Sequence, residues 1–189
     1  MNIGQAISER RSHRRFTGRE IPPTDMQEIL ESGLWAPSPK NRQPWRFVAC
    51  GPEYKNLIIG VLKKKIKEMK AESKNFGSLL ISITSIEECS EFLLVYNPYS
   101  GREPDYTKNR WKADMLSIGA CIQNMILAAH GKDVQTLWIC DILYAEDEIN
   151  KLLKTNDELV AGVAFGSGKQ KKIPKRPRTE LEDKVVWTE

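Results

Sequence analysis

Histidine is nearly missing from this sequence: His13 and His130 are the only two in 189 residues. The four cysteines, Cys50, Cys89, Cys121 and Cys140, form no CxxC pair. A zinc site or an iron–sulfur cluster therefore lacks ligands, and Ser-His-Asp or Cys-His catalysis lacks its base. The cysteines read as reduced core residues, and His130, in Ala128-Ala129-His130-Gly131, reads as a cation closing a helix. No run approaches the roughly 20 apolar residues of a membrane helix, so no membrane partner is expected. Internal repeats and low-complexity linkers are absent as well. The opening Met1-Asn2-Ile3-Gly4-Gln5 has no apolar stretch and is soon followed by arginines, which makes a cytoplasmic protein the expectation.

What is present is globular in character, with 40% apolar and 29% charged residues. The length suits one domain over 1–189, or one that completes itself by pairing with a copy. The net charge of +4 is unevenly placed. One cluster is Arg10, Arg11, Arg14 and Arg15; a second is Lys63, Lys64, Lys65, Lys67 and Lys70. A third is Lys169, Lys171, Lys172, Lys175, Arg176 and Arg178. Basic knots at opposite ends of a chain suit a bound phosphate. A nucleic acid is the other ligand they suit, but no nucleic-acid motif accompanies them and no aromatics are interleaved with them.

Ile3, Ala6 and Ile7 predict a short opening helix, and Pro22-Pro23-Thr24 announces a second, with Thr24 and Gln27 as a capping box. Its apolar face would be Met26, Ile29, Leu30, Gly33 and Leu34, and Pro37 would end it. Trp45 to Cys50 reads as a strand closed by Gly51-Pro52. Leu57, Ile58, Val61, Leu62, Ile66 and Met69 trace a helix whose solvated face carries the second lysine cluster. Leu79 to Ile86 reads as a further strand, and 87–109 as a long irregular cover holding Tyr96, Tyr99 and Tyr106. The strongest helix runs through Trp111, Met115, Ile118, Ile122, Met125, Ile126 and Ala129. Strands at Val134–Cys140 and Leu159–Phe165 flank a short helix from Glu146 to Leu153. The mixture predicts an α+β domain with a small sheet. The tail from 169 to 189 ends in Val185-Val186-Trp187, an apolar triplet expected to pack on something, such as a partner subunit.

Three segments carry chemistry. In Arg10-Arg11-Ser12-His13-Arg14-Arg15-Phe16, extended backbone would aim Arg10, Ser12 and Arg14 to one side, offering planar donor forks and a hydroxyl. Alternatively the segment is a solvated basic turn. In Trp35-Ala36-Pro37-Ser38-Pro39-Lys40-Asn41-Arg42-Gln43-Pro44-Trp45-Arg46-Phe47, the amides of Asn41 and Gln43 can read a heteroaromatic edge, and the prolines stiffen the loop that holds them. Lys175-Arg176-Pro177-Arg178 offers the second half of an anion clamp, or a frayed basic tail.

Together these segments resemble the nitroreductase family of flavin mononucleotide (FMN) oxidoreductases. The first is similar to that family's RRSxRxF signature and the second to its WAPSxxNxQPWRF signature, matched at every named position. Ser117 to Ala129, Leu137 to Cys140 and the segment from Arg176 to Trp187 resemble its central helix, the strand after it and its closing arm. The resemblance implies a three-layer α/β/α domain with a small, mainly antiparallel sheet, and a homodimer with exchanged C-terminal arms and FMN at the interface. It implies that Arg10 and Arg11, with Arg176 and Arg178, hold the phosphate and ribityl end, while Ser12 and Arg14 bond the pyrimidine edge. Pro37, Ser38 and Asn41 would reach the flavin from the other subunit, with Gln43 nearby, and backbone near Cys140 and Asp141 would lie by flavin N5. NADH or NADPH would supply hydride and a nitroaromatic, quinone or similar electrophile would take it, with no catalytic side chain. Ene reduction, dehalogenation or another flavin reaction on the same fold is the alternative. The chain departs from the family's pattern at His130 to Gln135, at Asp141, where a small residue is commoner, and around Leu181. The last leaves the register of Arg176 and Arg178 open, with Lys175 able to replace either.

Overall fold

The computed structural model describes residues 2–170 and 173–188; Lys171 and Lys172 of the third basic cluster lie outside them. Helix α1 (Ile3–Glu9) opens on a capping box: Asn2 accepts from the Gln5 amide at 2.9 Å while the Gln5 side chain accepts from the Asn2 amide at 3.2 Å. Helix α2 (Pro23–Leu34) starts two residues too early for the expected box. Pro22 is its cap and Thr24 is already helical, so Gln27 instead donates to Glu31 at 2.8 Å. Strand β1 (Arg46–Ala49) and helix α3 (Pro52–Ala71) follow as expected, with Ile58, Leu62, Ile66 and Met69 buried and Lys63, Lys64, Lys67 and Lys70 exposed.

The next two elements overturn the sequence reading. Leu79–Glu88 is a helix, α4, not a strand. Its buried residues Leu79, Ser82, Ile83 and Ile86 keep helical spacing, which the β-branched content of Leu-Leu-Ile-Ser-Ile-Thr-Ser-Ile concealed. Nor is 87–109 irregular throughout: Glu91–Asn97 is strand β2, in the middle of the sheet. Both its faces are covered, so Phe92 to Tyr96 form an unbroken apolar run without the alternation that marks a half-exposed strand. Tyr96 is fully buried there and is no part of a cover; the loop that remains is 98–107.

Helix α5 (Lys108–Gly131), strand β3 (Gln135–Ile139), helix α6 (Glu146–Leu153) and strand β4 (Glu158–Gly166) complete the domain. The sheet runs β1-β2-β4-β3 with every pairing antiparallel. Phe92, Leu94 and Tyr96 pack with α3, α4 and α6 on one face; Leu93 and Val95 pack with α2 and α5 on the other. The result is the expected three-layer arrangement. Gly33 lets α2 and α5 approach, since a Cβ there would sit 2.7 Å from Met125 Cγ. Three cysteines are buried as expected, but Cys140 is exposed, because the chain leaves the sheet at the end of β3. Among the described residues, no helix is long and apolar enough to cross a membrane.

Candidate functional site

The arginine segment is an extended strap along the free edge of β3. The His13 amide donates to the Thr136 carbonyl at 2.9 Å, and a second isolated bridge joins Phe16 to Gly168. Phe16 is fully buried and anchors the strap. A Cβ at Gly168 would meet His13 Nδ1 at 2.5 Å, so only glycine admits the strap so closely.

Helix α4, misread from sequence, supplies the strap's platform. Glu88 at its C-terminal end accepts from Arg15 Nε and from the Arg15 terminal nitrogen, at 2.9 and 2.7 Å, from the Phe16 amide at 2.9 Å and from Lys169 at 2.7 Å. The Arg15 hydrogen bonds above all, helped by Lys169 and the Phe16 amide, hold the Glu88 carboxyl down at about 2. Ser85 Oγ donates to the Arg14 carbonyl at 2.8 Å. At the other end of α4, Ser78 and Ser82 both donate to the Asp141 carboxylate, at 2.6 and 2.7 Å. That pair fixes the turn after β3.

Held this way, the strap brings Arg10, Ser12 and Arg14 to one cleft. Arg11, Ile173, Pro174, Arg176 and Arg178 complete its lining, so the two distant basic ends do converge. Lys175 does not line it. The cleft encloses about 150 Å³. Among the described residues, none of these five arginines has a carboxylate partner. Burial, with Arg11 and Arg178 adding repulsion, pulls the Arg10 pKa below its ordinary value. Arg11 is partly committed, its guanidinium donating to the Ser8 and Arg10 carbonyls at 2.7 and 2.8 Å, while its buried Nε has no partner.

The amide loop lies elsewhere on the same chain. A single 3₁₀ turn (Pro39–Asn41) follows Ser38, whose Oγ accepts from the Gln43 amide at 2.9 Å. Pro37, Asn41 and Gln43 are exposed. Cys140 and Asp141 stand together where β3 ends, with the Asp141 side chain committed to α4 and only its backbone left to offer. Burial and the Asp141 charge push the Cys140 thiol up, which makes it a poor nucleophile. Within one chain, these two groups and the arginine cleft do not share a lining.

Sequence reasoning missed Glu88, Ser85, Arg42 and Asp114. Asp114 carried a signal: an acid on the apolar stripe of α5 has to find a partner. It is 1% exposed and accepts from Arg42 Nε at 3.1 Å and from the Tyr106 hydroxyl at 2.8 Å. Among the described residues, no group of three histidine, cysteine or acidic side chains could hold a metal ion.

A sequence profile described as the Nitroreductase family matches residues 7–167. A Bacillus subtilis protein named as an NAD(P)H nitroreductase, YfhC, is 25% identical over 187 residues, 95% of this chain and 91% of its own. The crystal structure of a BluB-like flavoprotein from Clostridium difficile superposes over the full length of both chains, with a TM-score of 0.82 at 22% identity. A structure from Desulfovibrio desulfuricans, named as a nitroreductase in complex with FMN, does so over 100% of this chain and 98% of its own, at 0.76 and 24%.

Proposed function

The chain belongs to the nitroreductase family, and from that premise we propose an FMN-dependent oxidoreductase that uses NADH or NADPH to reduce nitroaromatics, quinones or similar small electrophiles. One observation carries the reading: Arg10, Arg14, Arg176 and Arg178 gather in one cleft with no carboxylate among the described residues to neutralise them. Like charges held together without a counter-charge are stabilised by a bound dianion, and the phosphate of FMN is one. The unpartnered Arg11 Nε and the depressed Arg10 fit such a group. The FMN-bound relative of the same fold and the NAD(P)H nitroreductase name of the Bacillus subtilis relative support the cofactor and the donor.

In this assignment Arg10, Arg11, Arg176 and Arg178 hold the phosphate and ribityl end, and Ser12 and Arg14 bond the pyrimidine edge. FMN, when bound, supplies hydride chemistry at N5, alternately with donor and acceptor. Arg14, which lines the cleft, would hold a cation by the ring and so raise the potential of a bound flavin. Backbone groups at Cys140 and Asp141 would be the ones to meet the reacting edge of the flavin, and the assignment gives no side chain a proton to transfer.

A homodimer completes the site. A ligand pocket usually encloses roughly 300–1,000 Å³, and the arginine cleft has about 150 Å³, so one chain provides part of the enclosure. Pro37, Ser38, Asn41 and Gln43 of a second copy supply the rest. Apolar surface is available for that pairing: Ile3 is 77% exposed on α1 and Leu116 is 77% exposed on α5. In the tail, Val186 and Trp187 are 89% and 84% exposed, which suits an arm from about 169 to 189 laid on the partner. The deciding experiment is a visible spectrum of the protein with FMN, followed by anaerobic titration with NADH and NADPH. Bleaching by the donor and recovery on adding a nitroaromatic or quinone are expected. A protein that stays colourless with added FMN would overturn the assignment.

A further inference from the structure

Lys40, Asn41 and Gln43 have φ of 54°, 52° and 52°. Left-handed backbone is unfavourable for residues with a side chain, least so for asparagine, so three within four positions do not hold themselves. Such backbone persists where the surroundings over-determine it, and it gathers at functional sites. Part of the restraint is local: the Asn41 amide donates to the Ser38 carbonyl at 3.0 Å, the Arg42 amide to the Pro39 carbonyl at 3.1 Å and the Gln43 amide to Ser38 Oγ at 2.9 Å. The rest passes through Arg42, the residue between the two amides.

Three partners from outside the loop grip the Arg42 side chain. Its Nε donates to both oxygens of Asp114 on α5, at 3.1 and 3.2 Å. A terminal nitrogen pairs with Glu103 at 2.8 Å, and the guanidinium carbon lies 4.0 Å from the centre of the Tyr99 ring. Asp114 also accepts from the Tyr106 hydroxyl, which accepts in turn from Asn97 Nδ2 at 2.7 Å. Glu103, Tyr99 and Tyr106 all belong to the 98–107 loop, which the clip therefore joins to the amide loop. A buried ion pair adds little net stability, because desolvation offsets the attraction. What it supplies is a fixed geometry.

We propose that Asp114, acting through Arg42, is a positioning residue for the flavin: the clip of Asp114, Arg42 and Tyr99 keeps Asn41 and Gln43 in the left-handed conformation that presents their amides to the cofactor. The ordering of the loop is then met when the chain folds rather than when FMN binds. This inference rests on the FMN reading above, and its test separates the two. FMN is titrated into the wild type and into Asp114→Asn, Arg42→Gln and the double variant, at a temperature well below each melting point. Each single variant weakens binding about tenfold, and the double variant is no worse than the weaker single, because both break one clip. The visible circular dichroism of the bound flavin changes with them. In an Asn41→Ala/Gln43→Ala background, Asp114→Asn changes affinity less than about twofold, whereas a general packing defect would lower it equally in both backgrounds. Where Asp114→Asn does not fold, Arg42→Gln carries the test, its side chain being 23% exposed. Variants that bind FMN as tightly as the wild type, with unchanged dichroism, overturn the clip alone. A wild type that does not bind FMN overturns the cofactor assignment instead.

Discussion

The arginine strap and the amide loop are assigned to one ligand, yet they prepare for it in opposite ways. The strap brings Arg10, Arg11 and Arg14 to the cleft with no carboxylate partner among the described residues, so their electrostatic demand is met only from outside. The amide loop meets its own demand, with Arg42 paired to Asp114 and Glu103, and stores its cost in backbone conformation. The first region gives affinity for charge; the second gives shape before the ligand arrives. Substitutions should therefore separate cleanly into those that spare the apoprotein and those that do not.

The largest effect tests whether the strap is built on its buried anchor. Phe16→Ala removes a fully buried ring packed on Gly166 and should cost about 3–5 kcal/mol in denaturant unfolding of the apoprotein. A loss below about 1 kcal/mol would mean that Glu88 and the β3 edge hold the strap without it. Next in size is Arg14→Ala. Loss of a hydrogen bond to a charged group is worth about 1.5–3 kcal/mol, or roughly ten- to hundredfold in FMN affinity. The flavin potential should fall, while the apoprotein, relieved of a crowded cation, unfolds no more easily. Full occupancy at an unchanged potential would remove Arg14 from its role. Binding to the strap should also weaken as salt rises, and loosening the amide loop should leave that slope unchanged.

A smaller effect concerns acid. Glu88 has its carboxyl depressed to about 2 in the folded protein, chiefly by the Arg15 hydrogen bonds. A depressed carboxyl stabilises the fold above its unfolded pKa, and that contribution is lost as pH falls towards the folded value. Between about pH 4.5 and 2 the protein should lose stability, and Glu88→Gln, already weakened at neutral pH, should lose less over the same interval. Parallel pH curves for the two proteins would show that Glu88 does not fasten the strap.

Legibility from sequence follows the same divide. Most residues assigned to the ligand sit in two contiguous signatures, and the two-residue period of extended chain brings Arg10, Ser12 and Arg14 to one side, where Arg11 joins them. The supporting residues act across 63 to 73 positions, as Asp141 with Ser78, Arg42 with Asp114 and Arg15 with Glu88 do, and no local period announces such pairs. The fold shows the same limit. One-faced elements such as α3 and α6 reveal themselves by polarity, whereas β2 is buried on both faces, and α4 is rich enough in isoleucine to pass for a strand. A misread helix then hid Glu88 and Ser85, and with them the reason the strap is straight.

The finest comparison is within the amide loop, between the clip around Arg42 and the local bond at Ser38. Ser38→Ala removes the hydroxyl that accepts from the Gln43 amide at 2.9 Å. That amide is in an exposed stretch and can turn to water, so the loss is that of one ordinary hydrogen bond, about 1 kcal/mol, or roughly fivefold in FMN affinity. Global stability should move by less than about 0.5 kcal/mol, since neither side chain belongs to the core. The clip, which crosses from the loop to α5, should cost more than the hydroxyl, which only closes the turn on itself. If Ser38→Ala weakens FMN more than Arg42→Gln does, the loop is organised by its own turn, and the long-range clip serves the 98–107 segment instead.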